Sequence, residues 1–229
     1  MASRFKGAIF DMDGTILDSM GCWRSLNAEF LRKRGLEIPE EIRGQEMITH
    51  SGTAAKLYLQ KFELGMTFDE IIREMEDDMR ALYLEVIQPK PGALKLLRDL
   101  KAAGLTMCVA TLTPQPVAEM ALRRHGVLDL FEFVVCGGDT GLRKSSPEFF
   151  HRVADRLNLN ARECVVFEDA VYAMRGARSA GCAVVAIEDA TSAPDEAEIR
   201  EICDIYVDDY NLFTMEALAR LDKPAAETV

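Results

Sequence analysis

Two carboxylates two residues apart, Asp11 and Asp13, close the apolar run of "AIFDMDGTILDS" (Ala8 to Ser19). Like charges at that spacing repel and resist burial, so something beside them must compensate them. Gly14 and Thr15 follow at once and turn the chain directly after the pair. Three further segments end apolar runs in polar residues of complementary kinds: Thr111 in "CVATLTP", Lys144 in "GGDTGLRKSSPEFF", and Glu168-Asp169 in "VVFEDA". Singly, each has an ordinary reading. Asp169 precedes a helical pattern and suits an N-cap, Thr111 suits a turn, and Lys144 suits the surface. "DMDGT" resists such a reading. Jointly, Asp11, Asp13 and Asp169 at one sheet edge are tolerable only beside a hard cation, and oxygen ligands near a phosphate favour Mg²⁺. Lys144 adds a point charge for an anionic transferring group, and Thr111 adds hydroxyl and backbone donors. A carboxylate nucleophile, a metal and a lysine together predict phosphoryl transfer through an aspartyl phosphate.

Those residues must be positioned by strands. Short apolar runs recur as "FKGAIFD", "LTMCVAT", "FEFVVCG", "CVVFED", "CAVVAIED" and "DIYVDD". Between them lie helical patterns such as "PGALKLLRDLKAAG", "PVAEMALRRHG", "SPEFFHRVADRLNL" and "AVYAMRGARSAG". Continuous apolar strands linked by helices predict an α/β fold, a doubly wound parallel sheet covered on both faces. In such sheets ligands bind beyond the carboxyl ends of the strands, where the four polar segments fall. The stretch 18–87 interrupts the alternation: it carries helical patterns and no strand pattern, and it is too long for a crossover. It is expected to be an inserted α-helical cap domain, with 1–17 and 88–229 forming the catalytic core.

The chain of 229 residues carries 38 acidic and 27 basic residues, a net charge of −11. Such a surface repels phosphate backbones and anionic lipid, which argues against nucleic-acid and membrane partners. It also repels a small anionic substrate, so a phosphate site needs locally concentrated positive charge. The six cysteines show no metal-like spacing and are expected to be reduced core residues. No apolar run approaches a bilayer-spanning length, and the N-terminus reads too briefly apolar for a signal peptide. A cytoplasmic protein, monomeric or weakly dimeric, is expected.

With these four segments in this order, the sequence closely resembles the haloacid dehalogenase (HAD) superfamily, in the subgroup with a helical cap between the first and second motifs. The matching strings are "DMDGT", "ATLT", the lysine of "RKSSPEFF" and "FEDA". The resemblance implies a Rossmann-like core and a small-molecule phosphoester substrate. It implies that Asp11 is the nucleophile and a Mg²⁺ ligand, and that Asp13 is the general acid/base, its backbone carbonyl also on the metal. Thr111, Leu112 and Lys144 match the phosphate-holding positions, and Lys144 would keep Asp11 ionised. Asp169 matches the acidic metal ligand, with Glu168 auxiliary to it. Two departures stand out: Leu112 lies where relatives commonly carry Ser or Asn, and Ser145 where a proline commonly follows the lysine. Neither removes a charged participant.

Hydrolysis of a small phosphorylated metabolite is the leading expectation. A β-phosphoglucomutase-like mutase is the alternative; that enzyme carries a histidine where this chain places Trp23. A dehalogenase is disfavoured by Asp13, a phosphonate hydrolase by the want of a marked cap lysine, and a non-catalytic phosphate-binding module by both aspartates. Leaving-group choice should fall to the cap, with Trp23, His50 and Ser51 as candidates.

Overall fold

A computed structural model describes residues 5–38 and 51–221. Strand β1 (Gly7–Phe10) is followed by helices α1 (Met20–Arg32), α2 (Ser51–Lys61) and α3 (Phe68–Glu85). The alternation then begins: α4 (Ala93–Ala102), β2 (Thr106–Thr111), α5 (Gln115–Arg124), β3 (Val134–Cys136), α6 (Gly137–Thr140) and α7 (Pro147–Arg156). It closes with β4 (Cys164–Glu168), α8 (Val171–Ala180), β5 (Ala183–Ile187), α9 (Glu196–Ile202), β6 (Ile205–Val207) and α10 (Met215–Arg220). The chain divides into two compact units, Met1–Asp18 with Pro89–Val229, and Ser19–Gln88.

In the first unit the six strands form one parallel sheet in the order β3-β2-β1-β4-β5-β6. The order reverses at β1, which pairs with both β2 and β4, so the doubly wound expectation holds and β1 lies at the switch point. Strands β1, β4 and β5 are buried at every position, as their unbroken apolar sequence requires of a sheet covered on both faces. Period-two alternation divides that burial. Phe10 stacks on Phe167 with centroids 4.3 Å apart. Ile9 instead joins the cluster of Phe149, Phe150, Val153, Met174 and Ala177 from α7 and α8. Removing one such phenyl ring would cost about 3–5 kcal/mol, so these contacts set the sheet's position firmly.

The second unit is helical among its described residues. Helix α3 starts on a capping box: the Thr67 hydroxyl accepts from Glu70 N while the Glu70 carboxylate accepts from Thr67 N. It buries Ile71, Met75, Met79 and Tyr83 at i, i+4 spacing. These methionines therefore form core, not a surface stripe. Phe30 and Tyr58 stack 5.6 Å apart and join α1 to α2. No described helix is long and apolar enough to cross a membrane. The cysteines at 108, 136, 164 and 182 are buried free thiols.

Candidate active site

Register brings the polar strand ends together. Phe10 pairs with Val109 on one side and Phe167 on the other, so Asp11 leaves the sheet level with the ends of β2 and β4. Asp11 N extends the ladder by donating to Phe167 O at 2.9 Å. Gly14, at φ 78°, then reverses the chain. Its N–H donates to Leu17 O, and the N–H groups of Ile16 and Leu17 both return to Met12 O. This tight loop holds Asp11 and Asp13 at the carboxyl edge of the sheet.

Lys144 arrives from the loop between α6 and α7 and is 2% exposed. A lysine is buried to that degree only when its charge is matched. Its Nζ lies 2.6 Å from Asp11 Oδ1 and 2.6 Å from Glu168 Oε2. The other Glu168 oxygen accepts from the backbone N–H of Asp169 (3.3 Å) and Ala170 (3.2 Å). Asp169 is itself buried, and its Oδ1 accepts from the Thr15 hydroxyl at 3.3 Å. Asp11, Glu168 and Asp169 each offer an oxygen within 4.8 Å of the others.

The electrostatics follow from that crowding. Burial pushes the Asp11 carboxyl well above its ordinary range, and Glu168 adds to the shift, against the opposing pull of Lys144. Asp169 is raised likewise by burial and by its carboxylate neighbours. Lys144 acts in the direction that favours the ionised form of Asp11. Burial opposes the Lys144 ammonium too, but Asp11 and Glu168 more than compensate and hold it above its usual value. Three buried carboxylates face this one ammonium. An all-oxygen donor set with surplus negative charge is what a hard divalent cation offsets, so these residues fit Mg²⁺.

Asp13 is held separately. Its Oδ2 accepts from the Thr113 hydroxyl at 2.7 Å and has the Thr111 hydroxyl at 3.5 Å. The Asp13 side chain does not join the three-carboxylate group, so only its backbone carbonyl is left for the ligand role considered above. Thr111 Oγ1 in turn accepts from Thr113 N at 3.0 Å, which fixes the turn after β2. Leu112 is exposed. Sequence reasoning passed over Thr113; its signal was the alternation Thr-Leu-Thr, which places two hydroxyls on one side of an extended segment.

Gly176 was also missed. A Cβ built on it would lie 2.2 Å from Lys144 O and 2.9 Å from the Ser145 carbonyl carbon. The lysine loop therefore rests directly on the backbone of α8, which a side chain would prevent. The cue was a glycine inside an otherwise sound helical pattern, since such a residue costs stability without a packing reason.

The cap candidates separate. Trp23, on α1, donates its indole N–H to the Tyr83 hydroxyl at 3.2 Å and ties α1 to α3 within the helical unit. Ser51 is the first residue of α2, and its side chain lies outside the described part. His50 lies outside the described residues.

Comparison with known proteins agrees with this geometry. "Probable pseudouridine-5'-phosphatase" of Drosophila melanogaster is 31% identical over 187 residues, covering 79% of this chain and 80% of the relative. Hexitol phosphatase A of Escherichia coli (strain K12) is 31% identical over 204 residues, covering 86% and 89%. The crystal structure of a HAD hydrolase, family IA, variant 3, from Entamoeba histolytica superposes with a TM-score of 0.80 at 18% identity, over 96% of this chain and 100% of that one. A family model described as "Hydrolase: haloacid dehalogenase-like hydrolase" matches residues 5–181, well over half the chain, and so the chain belongs to the haloacid dehalogenase-like hydrolases.

Proposed function

We propose that the protein is a Mg²⁺-dependent phosphatase that hydrolyses a small phosphorylated sugar or polyol through an aspartyl-phosphate intermediate. That the chain is a phosphoric monoester hydrolase follows from its family and from phosphatases more than 30% identical to it. The carbohydrate class is favoured because the relatives include a hexitol phosphatase, a fructose-1-phosphate phosphatase and a phosphatase of phosphorylated carbohydrates. The helical unit is taken as the cap that selects the leaving group.

The observation that carries the reading is Lys144 set between Asp11 and Glu168, with Asp169 beside them, at the sheet's switch point. Asp11, Asp169 and the backbone carbonyl of Asp13 would hold the metal, with Glu168 auxiliary. When bound, Mg²⁺ neutralises the carboxylates and stabilises charge on the transferring phosphate. The chain's own residues do the rest. An Asp11 oxygen attacks phosphorus and the ester P–O bond breaks, while Asp13 gives a proton to the departing alcohol oxygen. Water then attacks the phosphorus of the acyl phosphate and passes a proton to Asp13, freeing the Asp11 carboxylate and inorganic phosphate. Thr113 keeps the Asp13 carboxyl aimed through both steps. Lys144, with donors from Thr111 and Leu112, holds the anionic group.

Phosphate release from p-nitrophenyl phosphate and from a panel of hexitol, hexose and nucleotide monophosphates tests the proposal, with Mg²⁺ and with EDTA. Metal-dependent release that disappears in Asp11→Asn supports it, and preference within the panel names the substrate. No release from any phosphoester would sink it. Interconversion of hexose phosphates without net phosphate release would instead favour the mutase.

A further inference from the structure

The C-terminal segment lies beyond the stretch 5–181 matched by the family, yet it reaches the site. Tyr210 begins the short turn Tyr210–Leu212 after β6 and is 6% exposed. Its hydroxyl donates to the Thr15 backbone carbonyl at 2.9 Å, across 195 positions of sequence. Thr15 is fully buried, and its own hydroxyl donates to Asp169 Oδ1 at 3.3 Å. Two bonds thus run from the C-terminal segment through Thr15 to a carboxylate of the acidic group.

A buried tyrosine hydroxyl always seeks an acceptor, so the contact could be only local satisfaction. Its place argues for more. The loop Met12–Leu17 is closed by its own backbone bonds, and Tyr210 grips it from outside at the residue that touches Asp169. The Thr15–Asp169 bond is long, so a small rotation of Thr15 would break it. The field of the group also reaches the phenol: burial, then Asp169 and Asp11, push its pKa up and keep it a neutral donor.

We propose that Tyr210 is a positioning residue whose hydroxyl fixes Thr15, so that Thr15 holds Asp169 in the orientation that binds the divalent cation. The inference rests on the Mg²⁺ reading given above. Groups that bond directly to a metal ligand commonly change affinity 10–100-fold, and Tyr210 acts one bond further out, so an effect of about three- to tenfold is expected.

Tyr210→Phe removes the hydroxyl and keeps the ring. Calorimetric titration of Mg²⁺ into the full-length, substrate-free protein should show the dissociation constant rising by that factor. The Mg²⁺ concentration that half-activates phosphate release from p-nitrophenyl phosphate should rise in parallel, with kcat restored at saturating Mg²⁺. A merely structural role would lower the melting temperature and leave the Mg²⁺ constant unmoved. Thr15→Val should weaken Mg²⁺ binding at least as much, and the double variant no further than Thr15→Val alone, because both substitutions cut one chain. Tyr206→Phe on β6 serves as a control with unchanged metal dependence. An unchanged constant in folded Tyr210→Phe, or in Thr15→Val should the former fail to fold, overturns the inference alone. If the wild type itself takes up no Mg²⁺, the function proposed above fails and this inference with it.

Discussion

Asp11 and Lys144 stand 133 positions apart in the chain and meet at 2.6 Å in a site where the lysine is almost wholly buried. The pair decides what a substitution at position 144 would do. Lys144→Met leaves Asp11 and Glu168 facing each other without a cation, and it takes away the charge that would hold the transferring phosphate. Loss of such an electrostatic contribution typically costs about 10²–10³ in kcat. Lys144→Met should therefore lose activity on that scale with p-nitrophenyl phosphate at saturating Mg²⁺. Lys144→Arg should not rescue it, because a planar fork cannot replace a point charge in a space this closed. Activity within tenfold of wild type in either variant would contradict the assignment.

Thr113 offers a finer test. Its hydroxyl is 2.7 Å from the Asp13 carboxylate, the group proposed to move protons. Thr113→Val keeps the shape and deletes the donor, so Asp13 loses its aim while the acidic group around Lys144 is untouched. The expected result is a kcat lowered by about tenfold, with KM little changed. Thr113→Ser should retain most of the activity. The steady-state comparison of the two variants checks this: a loss in Thr113→Ser with Thr113→Val unaffected would mean that the methyl contact, not the hydroxyl, matters.

The strands were readable as apolar runs because the sheet is covered on both faces, wholly so at β1, β4 and β5 and less at the edge strand β6, and the helices between them because burial on one face enforces a 3.6-residue period. The residues of the acidic group were readable for a related reason. Each ends a strand, and a parallel sheet sends all its strand ends to one edge. What stayed hidden was contact between distant segments that leaves no local pattern. Nothing near Tyr210 in "DDYNLF" points to Thr15, and nothing in "AMRGARSAG" names the Lys144 loop as the reason for its glycine. The cap candidates were chosen from residue type and place in the chain, without contacts, and Trp23 proves to be bonded to Tyr83 inside the helical unit.

Two glycine substitutions should shift stability in opposite directions. Replacing glycine by alanine inside a helix normally stabilises by about 0.4–1 kcal/mol. Gly21, in the first turn of α1, has nothing within 4 Å of the point where an alanine methyl would stand, so Gly21→Ala should raise the melting temperature. Gly176→Ala has the same propensity gain, but its methyl would fall 2.2 Å from Lys144 O, and backbone on both sides must move. Overpacking of this kind costs about 1–3 kcal/mol, which exceeds the gain. Gly176→Ala should therefore lower the melting temperature, and it should lower kcat as well, since the displaced atom belongs to Lys144. Thermal unfolding of the two variants side by side decides the point; a stabilised Gly176→Ala would show that the lysine loop yields freely.

Asp189 carries the pH dependence that can be followed away from the acidic group. It is 8% exposed after β5, accepts from Thr191 N at 2.9 Å and Thr191 Oγ1 at 2.7 Å, and pairs with Lys90 at 3.0 Å. Burial alone would raise its pKa, but the Thr191 bonds and Lys90 together bring it below the ordinary value. A carboxylate held below its unfolded pKa contributes stability that is fully present above the unfolded value, about 3.9, and is lost as pH falls through the folded value. Asp189→Asn keeps the shape but removes the charge, and should cost about 1–3 kcal/mol at neutral pH. That difference from wild type should stay constant from pH 7 down to about 5 and narrow once the pH drops under about 4. Urea unfolding of both proteins across that range measures it. A gap that persists unchanged into acid would show that the loss comes from hydrogen bonds the amide cannot make, and not from the charge facing Lys90.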